Sequence, residues 1–107
     1  ADVVGIDEVQ FFGEELIDVC NKLANGGKRV IVAGLEKNHL GKPFSPLPNM
    51  ICSSDYVTKL HAVCMKCGAP ATFTNRIDKN KNQEILLGER FDYEALCRRC
   101  FHQENGQ

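Results

Sequence analysis

The chain reads as an α/β protein: a parallel sheet with a flanking helix, followed by a small C-terminal zinc-binding module. Three observations predict this. Two short apolar runs, residues 3–6 and 29–35, are separated by an amphipathic stretch at helical spacing. A strand, a helix and a second strand in that order favour a right-handed parallel crossover. Finally, two Cys-x-x-Cys pairs occupy the second half of the chain.

The first run, Val3, Val4, Gly5 and Ile6, is continuous enough for a buried parallel strand, and Asp7 and Glu8 close it. The carboxyl ends of strands are where ligands bind in open α/β sheets. Over residues 14–23, Leu16, Ile17, Val19, Cys20 and Leu23 share one helical face, and Asn25-Gly26-Gly27 supplies the stop. The RVIVAGL run of residues 29–35 is the second buried strand, and its carboxyl end lies beside Asp7 and Glu8. Gly41, Pro43, Pro46 and Pro48 break residues 36–49, which read as a shaped loop over the site. Residues 56–63 alternate enough for a third strand leading into Cys64. A polar stretch at 78–82 and an apolar run at 85–87 precede the second cysteine pair. The domain boundaries expected are 1–60 for the α/β core and 61–107 for the zinc module.

A domain of 107 residues buries only a modest share of its surface, and a bound metal would reinforce it. The net charge of -1 leaves no overall field to attract nucleic acid or a membrane, which points to a specific ligand. No apolar run approaches the roughly 18 residues of a membrane span, and the start shows no basic lead-in or cleavage site, so the expected location is cytoplasmic. Ala1 runs directly into the first apolar segment without an initiator methionine, which suggests part of a longer protein.

Cys64, Cys67, Cys97 and Cys100 form two knuckles. Reduced thiols in this arrangement suit metal better than disulfides, and four thiolates at about 2.3 Å fill the tetrahedral shell of zinc. Such a site has no open position for water, so the metal is structural and clamps the ends of the 68–96 excursion. A redox pair would occur once, at a helix start in a thioredoxin-like context. Cys20 reads as a small core residue, and Cys52 is isolated. His61 and His102 flank the knuckles as ordinary histidines.

Asp7 and Glu8 follow their strand in the manner of a Walker B element, in which one carboxylate holds magnesium and the next acts as base. Acids at strand ends are often merely solvated. Phe11 and Phe12 add weight, since two aromatic residues in an exposed turn are costly unless they pack or bind something flat.

These residues resemble the type II thymidine kinases, the cytosolic, zinc-containing class. The matching stretches are DEVQFF (7–12), VIVAGL (30–35), GKPF (41–44), YVTKL (56–60), AVCMKC (62–67), and Tyr93 with CRRC (97–100), in family order. The resemblance implies part of a P-loop-type parallel sheet with a C-terminal zinc-ribbon and lasso domain. It implies transfer of the γ-phosphate of ATP to the thymidine 5'-hydroxyl, with magnesium, in a homotetramer inhibited by thymidine triphosphate. By the same resemblance Glu8 is the general base and Asp7 the acid near magnesium. Phe11 and Phe44 are aromatic residues around the nucleoside, Thr74 stands beside the thymine methyl, and Tyr93 is the pocket tyrosine. Residues 75–87 correspond to the lasso loop, with Ile85, Leu86 and Gly88 at its contact positions.

The sequence departs from the family pattern in two places. No GxxxxGK[ST] phosphate loop occurs in the 107 residues, so the piece alone is expected to be inactive. After Leu35, where the family has aspartate, an aromatic residue and arginine, this chain has Glu36, His39 and Leu40. The alternatives are a stand-alone zinc module with Lys79, Lys81, Arg98 and Arg99 as a basic surface, and a non-catalytic regulatory subunit. The charge balance and a strand ending in Asp-Glu argue against the zinc module.

Overall fold

The computed structural model describes residues 2–77 and 92–106. The chain divides into two compact units, the first made of Ala1–Asn38 and Lys42–Thr58, the second of His39–Gly41 and Lys59–Gln107.

In the first unit, β1 (Val3–Ile6) pairs in parallel with β2 (Arg29–Val32), Val3 opposite Arg29 and Ile6 opposite Val32. Helix α1 (Glu15–Asn25) connects them, ending where Gly27 takes φ 91°, a conformation that glycine adopts without strain. The sheet is covered on one face. Val30, Val32 and Ile6 pack against Ile17 and Cys20 of α1 and Met50, whereas Val3 and Ile31 on the other face remain about half exposed. The expectation of strands buried on both faces is thus corrected: strictly alternating exposure shows one packed face. Strand β2 also stops at Val32, short of Leu35.

Two further expectations change. Residues 36–49 are not loop throughout, because α2 (Pro46–Ser53) begins within them. Proline at the first helical position costs no hydrogen bond and arrives with helical φ, so the Pro46 and Pro48 that argued for a loop instead open a helix. Ahead of it, Lys37 bridges Pro43 and the Phe44 N–H donates to the Glu36 carbonyl at 2.9 Å, closing residues 36–44 into a compact loop. Residues 56–63 do not form a third strand. Only β3 (Ala62–Val63) is extended and paired, with β4 (Pro70–Ala71), while Tyr56 and Leu60 are 95% and 83% exposed. Alternation predicts a strand only where a partner edge and a face to cover exist, and among the described residues no strand pairs with 56–60.

In the second unit, β5 (Phe73–Arg76) pairs antiparallel with β6 (Tyr93–Leu96), and α3 (Arg98–Glu104) follows. Its core joins Phe73, Leu96 and Phe101 with Ala71 and three cysteines. Phe73 and Phe101 stack with centroids 4.6 Å apart, and the Arg98 guanidinium sits 5.0 Å from the Phe73 ring. Fully burying one such aromatic side chain contributes about 2–3 kcal/mol.

Candidate functional site

The four cysteines come together from two local structures. Cys64 and Cys67 lie in a turn that closes when the Gly68 N–H donates to the Cys64 carbonyl at 2.9 Å, Gly68 taking φ 80°. Cys97 is the N-cap of α3 and accepts from the Cys100 N–H at 3.5 Å. The Met65 N–H, donating to the Ala95 carbonyl at 2.9 Å, ties the first knuckle to the strand that leads into the second.

All four sulfurs lie within 4.8 Å of one another, and Cys67 Sγ is 3.6 Å from Cys97 Sγ. Sulfurs at the corners of a tetrahedron around zinc would be about 3.8 Å apart. Their acidities diverge. Burial opposes ionisation of Cys64, but the backbone N–H groups of Cys97, Cys67 and Lys66 outweigh it and bring the thiol to about 6. The Cys100 N–H lowers Cys97. Cys100 itself is pushed up to about 12, first by its hydrogen bond with Cys97 and then by burial. Four sulfurs this close cannot all ionise without a cation between them, so the donor set fits a thiolate metal. The neighbouring Cys67 and Cys100 hold the Arg99 guanidinium above its ordinary pKa.

The acidic strand end belongs to the first unit. Asp7 and Glu8 leave β1 directly, the Asp7 carboxylate accepting from the Glu8 N–H at 2.8 Å. Glu8 stands at φ 56°, ψ 43°, the one left-handed residue other than glycine among those described. Its carboxylate accepts from Gln10 Nε2 at 2.6 Å, and Gln10 Oε1 accepts in turn from the Leu35 N–H at 3.0 Å. The backbone follows the same path: the Val9 N–H donates to the Ala33 carbonyl at 3.1 Å. Gly34 leaves the room, since a Cβ there would stand 2.7 Å from both Gln10 Oε1 and Val9 Cγ2.

The remaining candidates distribute as follows. Phe11, 74% exposed, lies in the short 3-10 turn Val9–Phe11, and Phe44 precedes α2. In the second unit the pleat places Thr74 and Tyr93 on one face of the β5–β6 pair, Thr74 opposite Ala95 and Tyr93 opposite Arg76. Ile85, Leu86 and Gly88 lie outside the described residues. The roles of Gln10 and Gly34 were not read from the sequence; Gln10 emerges only from its burial in the structure.

The sequence model of the family described as thymidine kinase matches residues 1–101. The chain belongs to the thymidine kinase family. It is 53% identical over 106 residues to a thymidine kinase of Bacteroides thetaiotaomicron, an alignment that covers 99% of this chain and 53% of that protein. A thymidine kinase of a Rhodothermus species is 54% identical over 101 residues, covering 94% and 47%. One from Porphyromonas gingivalis is 45% identical over 102 residues, covering 95% and 50%. The chain therefore spans about half the length of the curated relatives it matches. None of the helices described is long and apolar enough to cross a membrane.

Proposed function

We propose that this chain supplies the base, the nucleoside contacts and the zinc module of a type II thymidine kinase, which transfers the γ-phosphate of ATP to the 5'-hydroxyl of thymidine to give dTMP. The family match over residues 1–101 carries this reading. Glu8 takes the proton of the attacking 5'-hydroxyl, and Asp7 is the acid that would help hold the magnesium of the nucleotide. Magnesium, when bound, neutralises charge on the phosphates. The residues themselves contribute mainly placement, which suits phosphoryl transfer because orientation and charge stabilisation do most of the work. Thymidine contacts fall to Phe11, Phe44, Thr74, Ile85, Leu86, Gly88 and Tyr93.

Cys64, Cys67, Cys97 and Cys100 hold one structural zinc, a role that the distances between the sulfurs support. The complete enzyme is a cytoplasmic homotetramer that thymidine triphosphate inhibits. No glycine-rich phosphate loop occurs in the 107 residues, and the chain by itself does not turn over.

The test is phosphorylation of thymidine by the full-length protein with ATP and magnesium, beside its Glu8→Gln variant and the 107-residue chain. Turnover is expected from the unaltered full-length protein, only a small residual rate from its Glu8→Gln variant, and none from the 107-residue chain. If that protein makes no dTMP, the reading fails.

A further inference from the structure

We infer that Gln10 is a positioning residue for Glu8, bracing its carboxylate against the backbone just beyond β2. The inference rests on the reading of Glu8 as the base and goes beyond it by naming what orients that base.

Glu8 needs such a brace. It lies on an exposed turn in a left-handed backbone conformation, and an untethered glutamate there would spread over several rotamers. Gln10, only 6% exposed, spans the gap between Glu8 and the next strand end. The orientation of its amide is fixed by chemistry. The Leu35 N–H can only donate, so Oε1 must face it at 3.0 Å, and Nε2 is left to donate to Glu8 Oε2 at 2.6 Å. The carboxylate is thereby referred to the Leu35 amide, which continues directly from β2. Gly34 is the second part of the device, because any side chain there would collide with Gln10 Oε1 and Val9. The bridge uses one carboxylate oxygen of Glu8, and among the described residues none donates to the other, which can accept a proton.

Three variants of the full-length enzyme test this. Gln10→Met keeps the volume and loses both hydrogen bonds. Gln10→Glu keeps an acceptor for Leu35 but has no donor for Glu8 at neutral pH. Gly34→Ala displaces the amide while leaving Gln10 unaltered, so the test survives even if one Gln10 variant does not fold. Each is expected to lower kcat by about 10–100-fold, the scale of an ångström-sized misplacement, with the KM for thymidine changed less than about twofold. In a Glu8→Gln background the same changes should add less than about twofold, since there is no base left to orient.

If Glu8→Gln cuts turnover to a small residual rate while all three variants keep kcat within about twofold, the positioning role is overturned and the base survives. A full-sized loss from Gln10→Met in the Glu8→Gln background also overturns it. Full turnover by Glu8→Gln itself overturns the base, and the brace with it.

Discussion

Glu14 and Asn49, 35 positions apart, are joined by a 2.7 Å hydrogen bond from Asn49 Nδ2 to Glu14 Oε1, and the Ser45 hydroxyl donates to the other carboxylate oxygen at 3.3 Å. One side chain at the start of α1 thus holds both Ser45 and Asn49, at the beginning of α2. Glu14→Ala should lower stability by about 1 kcal/mol, the usual net value of such bonds. Glu14→Gln should recover part of it. An unchanged urea midpoint in Glu14→Ala would show that solvent replaces these contacts without loss.

Gly41 stands at φ 79°, and a Cβ there would meet the rings of Phe101 and Phe73 at 3.3 Å. Gly41→Ala combines an unfavourable backbone conformation with crowding of a stacked pair. The expected cost is about 1–3 kcal/mol, read from thermal melting. A melting temperature equal to that of the parent would mean the loop moves aside freely.

Phe101 is 3% exposed and shares its core with Leu96 and Phe73. Phe101→Ala should destabilise the second unit by about 3–5 kcal/mol. Zinc affinity should fall as well, because Phe101 follows Cys100 directly on α3. Titration with a competing chelator measures the affinity, and retention at the level of the parent counts against that linkage.

Removal of the metal should have the largest effect. Thiolate zinc sites contribute apparent binding energies on the order of 10–16 kcal/mol near neutral pH, comparable to or larger than the stability of a small domain. Chelation, or Cys100→Ser, is expected to unfold the second unit and to release one zinc per chain. Circular dichroism that is indifferent to chelator would argue that the sulfurs pack without a metal.

Asn75, 1% exposed, donates to Glu94 at 3.2 Å and accepts from Asn105 at 3.2 Å. Asn75→Asp places a second carboxylate against Glu94 in a buried position and should cost more than Asn75→Ala. Burial and the like charge would raise the folded pKa of the introduced acid above the ~3.9 of an unfolded aspartate. The penalty should therefore be absent below that value and grow as pH rises toward the folded pKa. Urea melts at pH 4 and pH 7 would show it, and an equal penalty at both would exclude this origin.

The cysteine cluster was legible because its chemistry is written in spacing alone: Cys64, Cys67, Cys97 and Cys100 need only be brought together, and they are. The strand–helix–strand segment was legible for a similar reason, its apolar periods switching where β1, α1 and β2 switch. Residues 56–60 were misread because alternation does not reveal whether a partner edge is present. Pro46 and Pro48 were misread because proline breaks a helix interior yet suits its first turn. The Gln10 bridge could not be read at all. It depends on a residue 25 positions away along the chain, and on the empty space at Gly34.

The left-handed backbone at Glu8 sets two selective pressures against each other. A library sorted only for resistance to heat or protease should enrich Glu8→Gly, since glycine adopts φ 56° without the ~1–2 kcal/mol that a side chain costs there. The same library sorted for growth on thymidine salvage should discard it. On the proposed reading, a glutamate at a position that would fold better as glycine gives up stability for the placement of its carboxylate.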